Sequence, residues 1–236
     1  MQISVVIPAY NEEKRIKTTL EKILRYLDKN KFDYELIVVD DCSADNTINA
    51  VKSFKNSKIR ILKNNENMGK GYSVKRGVLA SSKENILFSD ADLSTPIEEL
   101  DKFLEYTNNN DIIIASRNLK ESNIALKQPF FRSSLGKIFP FFVNLFVLKG
   151  IKDTQCGFKL FKSSAKKIFE KQKLNRFAFD VEILYLAEKS GLRIKELPVR
   201  WINSEGSKVN PLKDPISMFY DLIKIKINEI KGKYNE

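Results

Sequence analysis

Two carboxylates stand one residue apart, directly after a short apolar run near the middle of the chain. The stretch ILFSDADLSTP, residues 86–96, ends an expected strand with Asp90-Ala91-Asp92. Carboxylates this close repel each other, and leaving them unpaired at the end of a buried strand costs free energy. Carboxylate oxygens are also ligands that Mg²⁺ and Mn²⁺ accept together with pyrophosphate oxygens. The spacing therefore indicates either a solvated loop or a divalent cation site.

Histidine is absent from the 236 residues. This excludes a histidine general base, a Ser-His-Asp triad and histidine-ligated zinc. Any chemistry must depend on carboxylates, lysines, arginines, a metal ion, or a substrate that needs no base.

Bulk composition is that of a folded protein, with 42% hydrophobic and 30% charged residues. The length suits one large α/β domain. The net charge of +11 favours an acidic partner such as nucleic acid, anionic lipid or a phosphorylated substrate. Cys42 and Cys156 are far apart, which predicts free thiols in a reducing compartment. No secretory signal is evident, and the longest apolar run, Phe139–Leu148, is too short to span a bilayer.

Apolar runs alternate with amphipathic segments along the first half of the chain. We expect strands at residues 3–8, 34–40, 58–63, 85–89 and 111–116, and helices at residues 16–27, 46–55 and 69–81. A further helix is expected after Thr95, with Thr95 as N-cap, Pro96 at its first position and Glu98 completing a capping box. Strands this continuously apolar predict an α/β domain with a mostly parallel sheet covered by helices on both faces.

Polar side chains follow four of the expected strands, at Pro8–Glu12, Asp40-Asp41, Asp90–Asp92 and Ser116-Arg117. Ligands of open α/β sheets bind at the carboxyl ends of strands, so these groups predict one site. No G-x-G-x-x-G follows the first strand, and the Gly-Lys pair at 69–70 lacks the P-loop spacing. A sugar-nucleotide site remains.

Five segments occur in an order that closely resembles the family 2 inverting glycosyltransferases of the GT-A fold. They are VVIPAYNEE, LIVVDDCSADNT, NENMGKGYSVKRG, SDADLSTP and IIIASR. Downstream, DTQCGFKLF, RFAFDVEIL and LPVRWINSEGSKV are similar to the dolichyl- or polyprenyl-phosphate sugar synthases, more to the glucosyl than to the mannosyl branch. The resemblance implies transfer of a sugar, with inversion, from a nucleotide to a polyprenyl phosphate, giving a lipid-linked donor for glycan or glycoprotein assembly. It favours UDP-glucose, then UDP-N-acetylglucosamine, then GDP-mannose, with Mg²⁺ or Mn²⁺ as cofactor.

The resemblance implies that the loops after the first strands hold the donor. The implied nucleotide-sugar residues are Pro8, Ala9, Tyr10, Glu12, Asp40, Lys70, Asp90, Ala91 and Asp92. Asp92 is the first candidate for the metal ligand, and Asp90 would meet the ribose, the sugar or the outer shell of the metal. Ser94 stands where mannosyl relatives carry a glutamine ligand, so water is expected there. Asp41 has an equal claim to a purely structural role in the turn.

A lipid phosphate is already ionised, so it can attack without a protein base and needs cations to position it. Arg117 and Arg132 are the implied catalytic cations, together with Lys208 as a phosphate ligand. Gln155, Lys159 and Asp180 match the acceptor or sugar pocket of the family, and Glu182 is a further candidate. Packing is the preferred role for Cys156, and structural roles are open for Asp153 and Trp201.

The expected catalytic domain spans residues 1–211, followed by a basic amphipathic helix at 212–236. Within the domain, residues 129–150 carry six phenylalanines and are expected to form an interfacial helix near the acceptor. For the C-terminal helix, packing on the sheet is the favoured alternative. We therefore expect a peripheral enzyme on the cytoplasmic face of a membrane.

Two other functions are open on the sequence. A family 2 transferase acting on a saccharide hydroxyl would use Asp180 as its base. A nucleic-acid-binding protein is disfavoured, because the chain has no basic stripe or aromatic platform.

Overall fold

A computed structural model describes residues 1–125, 139–140, 142–203 and 213–235. The strands are β1 (Gln2–Ala9), β2 (Asp33–Asp40), β3 (Ile59–Lys63), β4 (Asn85–Ser89), β5 (Ile112–Ser116), β6 (Asn123–Ile124), β7 (Phe158–Lys162), β8 (Ile194–Pro198) and β9 (Arg200–Trp201). The helices are α1 (Ile16–Lys29), α2 (Thr47–Lys52), α3 (Lys70–Ala80), α4 (Leu100–Glu105), α5 (Lys166–Lys171), α6 (Phe179–Lys189) and α7 (Lys213–Ile230). Residues 142–146 are also helical.

Seven strands form one sheet in the order β3-β2-β1-β4-β7-β5-β8. Neighbouring strands are parallel except at β7, which runs antiparallel to both β4 and β5. β6 and β9 pair separately as a short parallel ribbon. The predictions of a mostly parallel sheet and of its first five strands are confirmed.

Alternate residues of each central strand enter two different cores. In β1, Val5 and Ile7 pack with α1, α2 and α4 on one face, while Val6 packs with α3, α5 and α6 on the other. This alternation follows from the period of two along a strand, and it explains why the strands are apolar throughout. The prediction of helices on both faces is confirmed.

Helix α3 approaches the sheet closely at Gly77. A Cβ atom there would lie 2.3 Å from Cγ1 of Val6 and 3.0 Å from Cγ2 of Val39. Contacts this short do not occur between real carbon atoms, so only glycine allows the helix to sit at this depth. Helix α3, which carries Lys70 in its first turn, is therefore packed closely on β1 and β2.

The predicted capping box at residues 95–98 is wrong. Pro96 has ψ of 145°, an extended conformation, so the first helical turn begins at Ile97 and is a short 3₁₀ segment. No side chain caps it. Thr95 is buried, and its hydroxyl lies 3.6 Å from the sulfur of Cys156 instead of meeting the backbone of the turn.

The C-terminal helix α7 packs on the domain through a different stripe from the one expected. Leu222 and Ile225 are buried in the core beside α3 and α6. The predicted apolar stripe is exposed instead: Ile216, Phe219, Ile223, Ile227 and Ile230. Within the described ranges, no helix is long and apolar enough to cross a bilayer. The domain boundary at residue 211 stays a prediction.

Glu35 provides a test of this fold through pH. Burial would raise the pKa of Glu35, but hydrogen bonds from Ser4, Ser82 and Arg60 outweigh it and lower the pKa to about 2. Between about pH 4.5 and 2, Glu35 therefore stays ionised in the native state while the unfolded chain takes up a proton. The contribution of Glu35 to the free energy of unfolding is full above about pH 4.5 and is lost as the pH falls toward 2.

We expect Glu35→Gln to lower the free energy of unfolding by about 1–3 kcal/mol at pH 7. Urea unfolding at pH 7.0 and 3.5 measures this, and the gap between variant and wild type should narrow at the lower pH. A gap that is equal at both pH values would contradict the assignment. Glu105→Gln, which alters an exposed carboxylate at the end of α4, is the control.

Candidate active site

A cavity of about 420 Å³ opens at the carboxyl ends of β1, β2 and β4. Eight of the nine predicted nucleotide-sugar residues line it: Pro8, Ala9, Tyr10, Glu12, Lys70, Asp90, Ala91 and Asp92. The topology explains this convergence, because β1 lies between β2 and β4 and all three are parallel. The eight residues therefore meet at the carboxyl ends of the strands, the edge of the sheet where they were expected. Their roles toward a ligand stay predictions.

Three loops at this edge contain non-glycine residues with left-handed backbone. Asn11, Cys42 and Leu93 have φ values of 54°, 61° and 47°. Such residues cost about 1–3 kcal/mol each and cluster at functional sites. The loops after β1 and β2 are tied together by hydrogen bonds from Asn11 N to Ser43 Oγ and from Glu12 N to Thr47 Oγ1. These bonds hold the strained loops in place.

Asp40 and Asp41 have different surroundings. Asp41 lines the cavity and accepts hydrogen bonds from the backbone N–H of Met68 and Gly69 and from the amide of Asn64. It thereby fixes the turn that begins α3, which agrees with its alternative structural role. Asp40 is fully buried and is not in the described cavity wall. Its Oδ2 accepts from Ser43 N, and its Oδ1 has no partner among the described residues.

Two ion pairs lie beside the cavity, and the lysine of each is close to the ring of Phe88. Lys70 Nζ lies 2.7 Å from Asp90 Oδ1, and Lys159 pairs with Asp180 in the interior. The two ammonium groups lie 5.4 and 5.6 Å from the centre of the Phe88 ring. Burial would lower the pKa of Lys70, but the carboxylates of Asp90 and Asp180 outweigh it and raise the pKa. The four groups therefore act as one electrostatic unit.

Burial raises the pKa of Asp180, and the neighbouring lysines Lys159 and Lys70 only partly offset this effect. Lys159 also donates to the carbonyl of Cys156, at 2.6 Å. Lys159 and Asp180 are both almost fully buried, and neither is among the described residues of the cavity wall. Their acceptor-binding role stays a prediction, and their observed contacts are with each other.

Backbone approach at Gly157 sets the position of Asp90. Asp90 N donates to the carbonyl of Gly157 at 2.9 Å, and a Cβ on residue 157 would lie 1.9 Å from Asp90 Oδ2. Asp92 Oδ1 accepts from Ser94 N, a bond that closes the turn after β4. In this contact Ser94 donates its backbone N–H, and its side chain takes no part.

The charges of the cavity wall suit a divalent cation. Among the described residues, the wall contains five carboxylates and three cations, a net charge of −2: Glu12, Asp41, Asp90, Asp92 and Asp214 against Arg15, Lys70 and Arg176. An anionic diphosphate would be repelled unless positive charge came with it. Among the described residues, no three histidine, cysteine or acidic side chains cluster as a ready-made metal site. Asp90 and Asp92 can thus supply only part of a coordination shell, which fits a metal that also takes diphosphate and water oxygens.

Arg117 is bound to protein in this structure. Its backbone N–H and guanidinium donate to the buried carboxylate of Asp153 at 2.7–2.9 Å, and its guanidinium lies 5.7 Å from the Trp201 ring. Burial would lower the pKa of Arg117, but Asp153 raises it. The structural role considered for Asp153 is confirmed. Gln155 donates to the carbonyl of Phe177, and neither Arg117 nor Gln155 belongs to the described cavity wall. Arg132 and Lys208 lie outside the described residues.

Two cysteine predictions are confirmed. Cys42 and Cys156 are free thiols, and Cys156 is buried. Burial raises the pKa of Cys156 to about 11, so its thiol stays protonated and packs as a small apolar group.

Sequence reasoning missed several residues of the wall, chiefly Arg15, Arg176, Phe177 and Asp214. Arg176 and Phe177 lie in the loop before α6, and the carboxylate of Glu182 holds this loop in place. Glu182 accepts from Lys173 N, Leu174 N and the hydroxyl of Tyr234. The donor or acceptor role considered for Glu182 is therefore not the one its contacts favour. Arg176 and Phe177 open the RFAFDVEIL segment, but Tyr234, which supports their loop through Glu182, is 52 residues away in sequence, so no local pattern shows that they line the cavity.

Comparison with known proteins identifies the family. A family model described as Glycosyl transferase family 2 matches residues 4–169. The chain belongs to glycosyl transferase family 2. Dolichyl-phosphate beta-glucosyltransferase of Dictyostelium discoideum is 39% identical, with 98% of this chain and 75% of that protein covered. The Homo sapiens protein of the same name is 37% identical, with 99% and 77% covered.

Solved structures agree on the fold. Glucosyl-3-phosphoglycerate synthase from Mycobacterium tuberculosis, in complex with Mn²⁺, UDP and phosphoglyceric acid, superimposes with a TM-score of 0.70 at 17% identity, covering 96% of this chain and 78% of that one. S. aureus TarS with UDP-GlcNAc gives 0.60 at 20% identity, covering 96% and 66%. This family 2 member therefore has the GT-A fold, as predicted.

Tyr234 tests the support of the cavity loop in this glycosyltransferase. Tyr234→Phe keeps the buried ring but removes the 2.6 Å hydrogen bond to Glu182. Because the carboxylate would then be buried with one partner fewer, we expect the free energy of unfolding to fall by about 1–3 kcal/mol. Urea unfolding measures the change. Tyr220→Phe, at an exposed position of α7, should change it by less than about 0.5 kcal/mol; equal effects of the two variants would refute the interpretation.

Proposed function

We propose that this protein transfers glucose from UDP-glucose to dolichyl or polyprenyl phosphate, with inversion at the anomeric carbon. The observation that carries the proposal is similarity, at 35–40% identity over 95–99% of this chain, to proteins named dolichyl-phosphate beta-glucosyltransferase. The cavity at the strand ends supports it, since its wall holds the Asp90-Ala91-Asp92 segment and the loop after β1.

In the proposed reaction an oxygen of the lipid phosphate attacks C1 of glucose. The bond from C1 to the UDP oxygen breaks, and UDP leaves with both electrons. No proton must be removed from the phosphate, in accord with the absence of histidine. The alternative, a saccharide hydroxyl deprotonated by Asp180, gains no support from the contacts of Asp180, because Lys159 already pairs with it in the interior.

Mg²⁺ or Mn²⁺ bound by Asp92, with Asp90 beside it, would neutralise the diphosphate and stabilise the leaving UDP. The net negative wall supports this cofactor. Tyr10 is exposed at the rim and offers the face of its ring to the nucleobase. Lys70, which is paired with Asp90 in this structure, would bind the diphosphate once Asp90 binds the metal ion.

A transfer assay tests the proposal. With UDP-glucose and a short polyprenyl phosphate, we expect a glucosyl lipid in the presence of Mg²⁺ or Mn²⁺, and loss of product in excess EDTA. UDP-N-acetylglucosamine and GDP-mannose are run in parallel as the competing donors. Product formed only with another donor would correct the sugar, and no transfer to any lipid phosphate would overturn the function.

Asp92→Asn should lower kcat by at least about 100-fold, because it removes a charge from the metal site. Glu105→Gln removes an exposed carboxylate at the end of α4 and should retain wild-type activity. Full turnover of Asp92→Asn, or of the wild type in EDTA, would remove the metal from the mechanism.

We further infer that the enzyme docks on a membrane through an exposed apolar face. This apolar face consists of Leu145, Phe146, Ile216, Phe219, Tyr220, Ile223, Ile227 and Ile230. Leu145 is 57% and Ile230 84% exposed, and the contact of Phe142 with both Phe146 and Phe219 joins the two helices into one surface. Exposed lysines at 224, 231 and 233 stand beside it.

Each such lysine near an anionic surface contributes about 1 kcal/mol, so the combination suits reversible binding. The anionic cytoplasmic leaflet matches this charge, and the free thiols agree with a reducing compartment. These observations support the cytoplasmic face as the place of action.

Flotation with vesicles measures the docking. Wild type should float with vesicles containing about one-third phosphatidylserine and less with neutral vesicles. Phe146→Ser with Ile223→Ser should stay at the bottom, since the pair removes two apolar anchors. Tyr106→Ser changes an exposed aromatic at the end of α4 and should float like the wild type. Equal flotation of all three proteins would exclude the apolar face.

A further inference from the structure

Three cationic side chains from the described part of the chain line the cavity, and two of them are already paired. Arg15 binds the carboxylate of Glu12, and Lys70 binds Asp90. Arg176 is exposed and forms no ion pair with any residue in the described part of the chain. Burial raises the pKa of Asp221 on α7, while Lys224 and, more weakly, Arg176 lower it. Among the described wall cations, Arg176 is thus the one that can bind an anionic ligand without first giving up an ion pair.

The backbone that leads to Arg176 is fixed by contacts with α6 and α3. Ahead of it, the buried carboxylate of Glu182 accepts from Lys173 N at 3.0 Å and Leu174 N at 2.8 Å. The carbonyl of Asn175 accepts from Tyr72 N, at 3.0 Å, in the first turn of α3. A solvated surface arginine needs no such support, because its side chain adapts to water from any backbone.

Glycine at position 69 allows Arg176 to approach the site. A Cβ at Gly69 would lie 2.5 Å from the carbonyl oxygen of Asn175 and 3.2 Å from Cγ of Arg176. The arginine stem therefore lies on the residue before Lys70, at the positive end of an 11-residue helix. Arg176 and Lys70 approach the cavity from adjoining backbone, where their charges favour a phosphate.

We propose that Arg176 binds the phosphate group of the lipid acceptor. The assignment rests on the proposed function and adds a substrate ligand that the sequence motifs did not indicate. Phe177 and Asp214 line the cavity together with Arg176, and Asp214 begins the helix whose outer side carries the apolar face. A lipid arriving from the apolar face would reach the side of the cavity that Arg176, Phe177 and Asp214 line. Pro8, Ala9 and Tyr10, which are proposed to bind the donor, line the cavity from the end of β1 and the loop after it.

Arginine suits this role because its planar guanidinium can donate two parallel N–H bonds to one phosphate. Arg117, predicted for the same role, has its guanidinium bound to Asp153 at 2.7 and 2.9 Å. Freeing it would leave the buried Asp153 carboxylate without its charge partner, at a high cost. Arg176 can bind a phosphate without breaking any ion pair of the described residues.

Steady-state kinetics of the full chain test the proposal, with Arg176→Ala, Arg176→Lys and Lys173→Ala as variants. Arg176→Ala should raise KM for polyprenyl phosphate about 10- to 100-fold, while KM for UDP-glucose and the Kd of UDP with Mn²⁺ change less than about threefold. Arg176→Lys, which keeps the charge but loses the fork, should fall between. Lys173→Ala removes an exposed cation three residues away and should match the wild type.

Two results would overturn the assignment while the wild type stays active. A rise in the KM for UDP-glucose together with weaker UDP binding would make Arg176 a donor ligand, and unchanged constants would make it a solvated side chain. Circular dichroism of Arg176→Ala checks that this variant is folded, and Arg176→Lys provides a second variant if it is not. A wild type inactive with every lipid phosphate would instead remove the proposed function, and this assignment with it.

Discussion

The ion pair between Lys70 and Asp90 joins the first turn of α3 to the end of β4 and fixes the floor of the cavity. Lys159 and Asp180 form a second pair, and both ammonium groups lie within 5.6 Å of the centre of the Phe88 ring. Lys159 and Asp180 are almost fully buried, so removing either one would leave an uncompensated charge in a medium of low polarity, whereas Lys70 and Asp90 are only half-buried. A divalent cation bound together with a diphosphate would offer Asp90 a positive partner and Lys70 a negative one. Exchange of partners would then keep every charge compensated.

The same requirement explains the close contacts around the pair. Gly157 leaves room for the Asp90 carboxylate, and Asp41 holds the turn from which Lys70 projects. The strained loops at Asn11, Cys42 and Leu93 lie at the same edge of the sheet. Their backbone cost is offset by bonds such as that from Glu12 N to Thr47, so the free energy stored at the edge depends on contacts between loops.

Sequence reasoning could predict the features that depend on local order. The strands before Pro8, Asp40 and Asp90 are short apolar runs, and parallel neighbours bring their ends together whatever the distant contacts are. It could not predict the partner of Arg117, because Asp153 is 36 residues away and equally consistent with other roles. The error at Thr95 has a similar origin. Its sequence fits an N-cap, yet burial beside Cys156 sets the hydroxyl direction and Pro96 stays extended. Tertiary packing overrode a local preference in both cases.

Helix α7 shows why periodicity alone leaves the outer surface undetermined. Its apolar residues occur on two stripes, and a helical repeat cannot say which stripe meets the domain. Leu222 and Ile225 are the buried ones, and the shape of the core beside α6 decides this. Beyond α7, Tyr234 bonds to Glu182, which holds the loop that carries Arg176, and at the start of α7 Asp214 lines the cavity. The segment that exposes the apolar face therefore lines the cavity near its start, at Asp214, and supports the loop that carries Arg176 near its end, through Tyr234. These contacts set the position of the apolar face relative to the site, which suits transfer to a lipid-borne phosphate.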